Sequence, residues 1–300
     1  MHHGRYIFTQ LCDTLPKRIF DNYVEKYEGN KYVKSFTCWN HLLILIFGQL
    51  SNRESLRDLI NTLNAHKEKF HHLGFGKSVT RSNLSKANEV RSVEVFEEFS
   101  LRMIELARRK QADLDEFFVA NDVYAFDSTT ITFCIKTFWW SRFADSTKGI
   151  KLHTLYDVRR ELPTFNLITD HVVSDCTVMD VIPYETGSIY VFDKAYVSTP
   201  QLYAIQMIGA YFVVRKKRNM SYRIIRDSCY NNPQSGIMAD QIIQFNSRVA
   251  KVGYPEPLRL VTYYNKERNR TFTFLTNNFS VAAEDVALLY KHRWKIELFF

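Results

Sequence analysis

Three carboxylates sit where a carboxylate is costly. Asp127 interrupts the alternating run Val123-Tyr124-Ala125-Phe126-Asp127-Ser128-Thr129-Thr130-Ile131, and Asp193 ends the run Ser188-Ile189-Tyr190-Val191-Phe192-Asp193. Glu297 stands among Trp294, Ile296, Leu298, Phe299 and Phe300. An ionised carboxylate in apolar surroundings is unfavourable unless it is paired or binds a cation. The two Asp contexts rhyme: Tyr-x-Phe-Asp occurs at 124–127 and again at 190–193. Each buried run delivers one Asp at or near a strand end, as expected when neighbouring strands present ligands to one ion. Oxygen donors without cysteine suit Mg²⁺ or Mn²⁺ rather than zinc.

Glu297 belongs to a helical pattern. Asn277, Asn278 and Ser280 offer capping side chains, and Glu284 and Asp285 fall in the first turn, where the helix dipole favours negative charge. The helix is predicted to run from there to the end of the sequence. Tyr290, Arg293 and Glu297, spaced by three and four residues, share one face, so Arg293 can pair with Glu297. Alone, an R-x-x-x-E is an ordinary surface ion pair; the metal-ligand reading of Glu297 rests on Asp127 and Asp193 occupying matching contexts.

The spacing Tyr290, two residues, Arg293, three residues, Glu297 resembles the Y-(2)-R-(3)-E-(6)-K signature of DDE transposases of the insertion-sequence-four family. The signature's Lys would lie beyond Phe300. Further matching stretches are Lys148-Gly149-Ile150-Lys151-Leu152-His153, Asp193-Lys194-Ala195-Tyr196, Leu275-Thr276-Asn277-Asn278 and Arg293-Trp294-Lys295-Ile296-Glu297, so the likeness runs from about residue 120 onward. Many relatives carry Arg-Gly after the second Asp, where this chain has Lys194-Ala195; the small residue and the charge are both kept.

The resemblance implies an RNase H-like catalytic domain, a mixed sheet flanked by helices, interrupted by a β-rich insertion. It implies two Mg²⁺ or Mn²⁺ ions held by Asp127, Asp193 and Glu297, cutting transposon ends and joining the 3′ end to target DNA by phosphoryl transfer. Tyr290, Arg293 and Lys194 become DNA contacts. The partners implied are double-stranded DNA, as terminal inverted repeats and as target, and a second copy of the protein in a synaptic homodimer. Two alternatives stay open: a related nuclease that cuts without joining, and an inactive DNA-binding remnant.

The elements that must position these residues follow from periodicity. Residues 1–110 read as an all-α N-terminal domain, with Phe8, Leu11, Leu15 and Ile19, then Leu42, Leu43, Ile46 and Leu50, then Leu56, Leu59, Ile60 and Leu63 at helical spacing. Within it, a short hydroxyl-rich helix carries Lys77, Arg81 and Lys86 and suits DNA phosphates as well as it suits packing on its neighbours. Residues 111–214 change to period two: strands are predicted at 123–131, 149–156, 163–169, 188–193 and 211–215, the first three forming an antiparallel meander, with a helix near 199–208. Residues 215–275 form the predicted β-rich insertion, and 276–300 the last helix of the core.

Charge is concentrated in that insertion. Between 215 and 270 there are twelve Lys and Arg against four Asp and Glu, an excess of +8, equal to the net charge of the whole chain. They are interleaved with Tyr222, Tyr230, Tyr254, Tyr263 and Tyr264. Such a mixture suits phosphate neutralisation and base stacking, with Arg215, Lys216 and Lys217 leading, although a solvated basic sheet would look alike. Five scattered cysteines without a C-x-x-C pair indicate neither a disulfide framework nor a structural zinc site. The longest apolar run, Leu42 to Phe47, is too short to cross a bilayer. A cytoplasmic, nucleoid-associated bacterial protein is expected. Phe299 and Phe300 lack any helix stop signal, so the chain is expected to be a fragment with weak or no activity by itself.

Overall fold

The computed structural model describes residues 6–70, 72–110, 119–132, 149–228 and 234–300. Lys148, Tyr230, residues 231–233 and the cysteines Cys134 and Cys229 lie outside them. The chain divides into two compact units, Met1–Leu106 and Ala107–Phe300.

The first unit carries α1 (Ile7–Asp13), α2 (Lys17–Lys26), α3 (Cys38–Leu50), α4 (Leu56–Ala65), α5 (Arg81–Val90) and most of α6 (Glu94–Lys110). The apolar spacing from Phe8 to Phe20 does not make one helix, because Pro16 lacks the N–H to continue it and sits at the start of α2. Hydroxyl caps set the other starts: Thr37, Ser55 and Thr80 accept from the backbone N–H groups of Asn40, Asp58 and Asn83. Leu43, Ile44, Leu59, Leu63 and Leu84 close one core, and Phe20, Val24, Val95 and Phe99 another. On α5 only Leu84 and Ala87 are buried, so Arg81, Ser82, Asn83, Ser85 and Lys86 face solvent.

The second unit is built on β1 (Val123–Thr132), β2 (Gly149–Asp157), β3 (Leu162–Asp170), the short helix α7 (Asp175–Val178), β4 (Ile189–Phe192), α8 (Thr199–Met207) and β5 (Tyr211–Arg215). It continues with β6 (Tyr222–Asp227), β7 (Ile237–Phe245), α9 (Arg248–Gly253), β8 (Leu258–Asn265), β9 (Arg270–Thr276), α10 (Ala283–His292) and α11 (Trp294–Phe299). All nine strands form one sheet in the order β3-β2-β1-β4-β5-β9-β8-β7-β6. β1, β2 and β3 are the antiparallel meander read from the sequence, while β4 runs parallel to β1 and β5 parallel to β4. The strands of 215–275 extend this sheet through the β5–β9 pairing instead of standing apart as a separate lobe. Their apolar residues complete the same cores: Ile243, Phe245, Tyr254, Leu258 and Leu260 join Tyr124, Phe126, Tyr190 and Phe192.

Alternation divides the strands between two faces. Tyr124, Phe126, Tyr190, Phe192, Phe212 and Val214 pack on α8 residues Leu202 and Ile205, whereas Ala125, Val191, Val213, Val261 and Phe274 pack on Val286 and Leu289 of α10 and Ile296 of α11. β4 is buried along its whole length, as a central parallel strand covered on both faces must be. Among the described residues no helix is long and apolar enough to cross a membrane.

Candidate active site

The rhyming sequences are neighbours in register. Tyr124 pairs with Tyr190 and Phe126 with Phe192 across the parallel β1–β4 ladder, and the tyrosine rings stack at 5.3 Å. Asp127 and Asp193 are each the next residue, so both lie just past the end of the β1–β4 ladder: Asp193 directly follows β4, whereas Asp127 stays mid-way along β1, still paired with Thr154 of β2, instead of near a strand end as expected. Asp127 continues the parity of Ala125, which places it on the α10 and α11 face.

The helix that meets them is two segments. At Arg293 the hydrogen bonds tighten to i→i−3, Arg293 N–H to the Tyr290 carbonyl and Ile296 N–H to the Arg293 carbonyl, both at 3.2 Å, which separates α10 from α11. The expected caps act differently too. Asn278 Oδ1 accepts from Ser280 N–H (2.9 Å), Ser280 Oγ (2.8 Å) and Val281 N–H (3.2 Å), organising the turn ahead of α10, whose N-terminal residue Ala282 has no side-chain cap. Asn277 ties that turn to the start of β5 through Phe212 N–H and the Ala210 carbonyl. Arg259 secures it further: it forks onto Asp240 at 2.7 and 2.8 Å and donates to the Asn278 and Val281 carbonyls.

Two side chains, Tyr290 of α10 and Arg293 at the junction with α11, reach the acids on β1 and after β4. Arg293 donates to Asp127 Oδ2 at 2.7 Å through Nη1 and to Glu297 through Nη2, and Tyr290 donates its hydroxyl to Asp193 Oδ1 at 2.9 Å. Arg293 is only 12% exposed, Asp127 21% and Glu297 32%. Burial raises the Asp127 pKa, the Ser128 N–H and Arg293 oppose that, and the charges of Glu297 and Asp193 add to it. For Arg293, burial alone would lower the pKa, but the Glu297 hydrogen bond with the Tyr290, Asp127 and Glu297 charges raises it overall. Burial and Asp193 push Tyr290 to about 12, with Arg293 and Arg215 pulling the other way. The guanidinium Nε of Arg293 is buried without an acceptor among the described residues.

Basic and aromatic residues border this cluster. Arg215 lies over Phe272 at 5.0 Å, Arg270 over the same ring at 5.8 Å, and Arg268 over Trp294 at 5.9 Å. A cavity of about 620 Å³ opens between Phe272, Arg268, Trp294 and the Tyr290–Arg293 turn. Lys194 is exposed beside Asp193. Lys216 and Lys217 turn elsewhere: Lys216 sits over Tyr222 at 5.4 Å, and Lys217 donates to the Val197 carbonyl at 2.9 Å. Two members of the basic, aromatic segment are structural, since Arg259 is consumed by Asp240 and Tyr254 is fully buried in the core.

As ligands, the three acids offer hard oxygen donors and more negative charge than one guanidinium neutralises, which fits a divalent cation in kind. In the present arrangement Arg293 and Tyr290 hold their oxygens, and among the described residues no three Asp, Glu, His or Cys side chains are grouped to hold one ion.

Residues 120–300 match the transposase DDE domain. The chain belongs to that family. Residues 3–76 match a domain of unknown function (DUF4372) that forms a separate family. Among similar proteins, one of Sinorhizobium fredii named as a transposase, y4zB, is 32% identical over 221 residues, covering 72% of this chain and 60% of that protein. A Geobacillus stearothermophilus protein named as a transposase for insertion sequence element IS5377 is 25% identical over 175 residues, covering 58% of this chain and 45% of that one. The chain thus spans 60% and 45% of the lengths of these two relatives. Endonuclease V of Bacillus subtilis aligns at 8% identity and a TM-score of 0.27 over 66% of this chain and 82% of that one, too slight a likeness to bear on the fold.

One group of polar residues near Asp127 and Asp193 escaped the sequence reading. Ser128, Lys151, His153, Asp175 and Tyr196 gather on the opposite face of the sheet from Asp127. The signal was present, because Ser128 follows Asp127, Tyr196 lies three residues past Asp193, and Lys151 and His153 belong to one of the matched stretches.

Proposed function

We propose that this chain is the catalytic part of an insertion-sequence transposase that cuts transposon ends and joins the 3′ end to target DNA. The observation that carries the reading is the meeting of Asp127, Asp193 and Glu297, from β1, the end of β4 and α11, around Arg293 and Tyr290 within a DDE transposase domain. The strand order β3-β2-β1-β4-β5, antiparallel then parallel, supports an RNase H-like core.

Asp127, Asp193 and Glu297 would hold two Mg²⁺ or Mn²⁺ ions. Ions held by these acids would supply Lewis-acid chemistry, lowering the pKa of an attacking water or 3′-hydroxyl and stabilising the departing oxygen. Arg293 at present supplies the positive charge those acids need. Released from Asp127, its guanidinium is placed to take a DNA phosphate bidentately, and its unsatisfied buried Nε is a donor that a phosphate oxygen would satisfy. Arg215, Arg268 and Arg270, stacked on Phe272 and Trp294, would carry the strand leading to the acids. Lys216 and Lys217 are secondary contacts. In the first unit the solvent-facing side of α5, with Arg81 and Lys86, suits binding of the transposon end, and a synaptic homodimer would bring two ends together.

The test uses the full-length protein and a labelled transposon end. Asp127→Asn, Asp193→Asn and Glu297→Gln should each cost Mg²⁺-dependent cutting more than the roughly 10–100-fold typical of outer-shell changes, while DNA binding stays within a few-fold. Transfer of the labelled 3′ end to a target plasmid separates a transposase from a nuclease that only cuts. Cutting that survives all three substitutions would remove these acids from the mechanism.

A further inference from the structure

Behind the Asp127–Asp193 pair, on the α7 and α8 face of the sheet, runs a directed chain of hydrogen bonds. The Tyr196 hydroxyl donates to Ser128 Oγ at 3.4 Å, Ser128 donates to Asp175 Oδ1 at 3.2 Å, and Lys151 Nζ donates to the same oxygen at 3.2 Å and to the Val173 carbonyl at 2.9 Å. Each hydroxyl gives one hydrogen bond and receives one or none, so the direction is fixed by the carboxylate that accepts at the end. His153, fully buried opposite Ser128 in the β1–β2 register, stacks on Phe126 at 6.2 Å and bonds Thr169 at 2.9 Å, walling the chain from one side. Its Nδ1 is 3.9 Å from Asp175, too far for a hydrogen bond, whereas Lys151 ion-pairs with that carboxylate at 3.2 Å.

Two members of this chain, Ser128 and Tyr196, belong to the backbone segments that carry the acids. Ser128 follows Asp127, and its N–H donates to Asp127 Oδ1 at 2.9 Å. Tyr196, 1% exposed, closes the one-turn 3₁₀ segment Lys194–Tyr196 that Asp193 begins, with Tyr196 N–H bonded to the Asp193 carbonyl at 3.1 Å. The β1–β4 ladder stops at Phe126 and Phe192, so neither Asp is held to the other by sheet hydrogen bonds. Yet their like charges repel, as the upward push of Asp193 on Asp127 records. The Tyr196–Ser128–Asp175 connection is a cross-strand link between hydrogen-bonding side chains at this unladdered step. Burying such a network is unfavourable unless its members satisfy one another, and this one is tied to a Lys–Asp pair.

We propose that Ser128, Tyr196 and Asp175 are positioning residues that fix the separation of the Asp127 and Asp193 carboxylates, and thereby the affinity of the site for divalent cations. This rests on the assignment of those acids as ligands. It is tested by titrating Mn²⁺ into the DNA-free, full-length protein and reading free Mn²⁺ by electron paramagnetic resonance. Tyr196→Phe removes one oxygen and keeps the buried ring; it and Ser128→Ala should each weaken Mn²⁺ binding about 10-fold, the loss typical of outer-shell partners. Ser128→Thr, which keeps the hydroxyl, should restore it. The Ser128→Ala, Tyr196→Phe double variant should lose little more than either single one, since both break the same link. Wild-type affinity in folded Tyr196→Phe and Ser128→Ala overturns the proposal. If the wild type itself binds no Mn²⁺, or Asp127→Asn binds as tightly as the wild type, the ligand assignment falls, and this proposal with it.

Discussion

Replacing Arg293 by Gln removes the guanidinium that Asp127 and Glu297 share and leaves both acids without it. Breaking a buried ion pair by deleting one partner costs about 3–5 kcal/mol, and an exposed pair about 0–1 kcal/mol. Here the guanidinium is 12% exposed but its acids are 21% and 32% exposed, so water reaches the carboxylates and screens part of the loss. An intermediate cost of about 2–3 kcal/mol follows. At about 2–4 °C per kcal/mol for a domain of this size, the unfolding midpoint of the second unit should fall by roughly 5–10 °C in EDTA. Mn²⁺ should then stabilise the variant more than the wild type, because two unpaired acids gain a cation and no guanidinium competes; saturation at 100 Kd contributes about 2.7 kcal/mol. Calorimetry in EDTA and in Mn²⁺ reads both effects. A loss below about 2 °C, or equal stabilisation of both proteins by Mn²⁺, would refute the view that Arg293 stands in for a metal at these acids.

Two further outcomes follow from particular contacts. Arg215→Glu should weaken DNA binding and lower the slope of log affinity against log salt by about one, whereas Lys217→Glu, whose ammonium is turned to the Val197 carbonyl, should lower it less; filter binding at several salt concentrations checks this. In the first unit, burial lowers the His41 pKa to about 4, the Asn88 hydrogen bond opposing and Arg91 reinforcing the shift. The native state therefore prefers neutral His41: its contribution is fully present above the unfolded value of about 6.5 and is lost as pH falls toward 4, by up to about 3 kcal/mol. Urea midpoints between pH 7 and 4.5 should drop for the wild type and drop less for His41→Gln.

Local pattern determined much of this protein by itself. The meander of β1, β2 and β3 and the buried run of β4 follow from period-two alternation, because a strand has only two faces and a carboxylate that breaks an apolar one must be explained; Asp193 does follow the end of β4, but Asp127 sits mid-way along β1, which runs on beside β2 past the point where β4 stops. The Arg293–Glu297 pairing likewise follows from helical spacing. Pairing partners between distant segments were not legible. That 215–275 would continue the sheet depends on β5 offering an edge to β9, a contact between backbones that no side-chain period encodes. Whether a basic residue meets solvent or a buried acid is likewise decided in three dimensions, which is why Arg259 and Tyr254 count toward the basic, aromatic segment in sequence and yet fold as core. The link from Tyr196 through Ser128 to Asp175 joins three elements far apart in sequence, and only packing of α7 and the 194–196 turn against β1 brings its oxygens into hydrogen-bonding range.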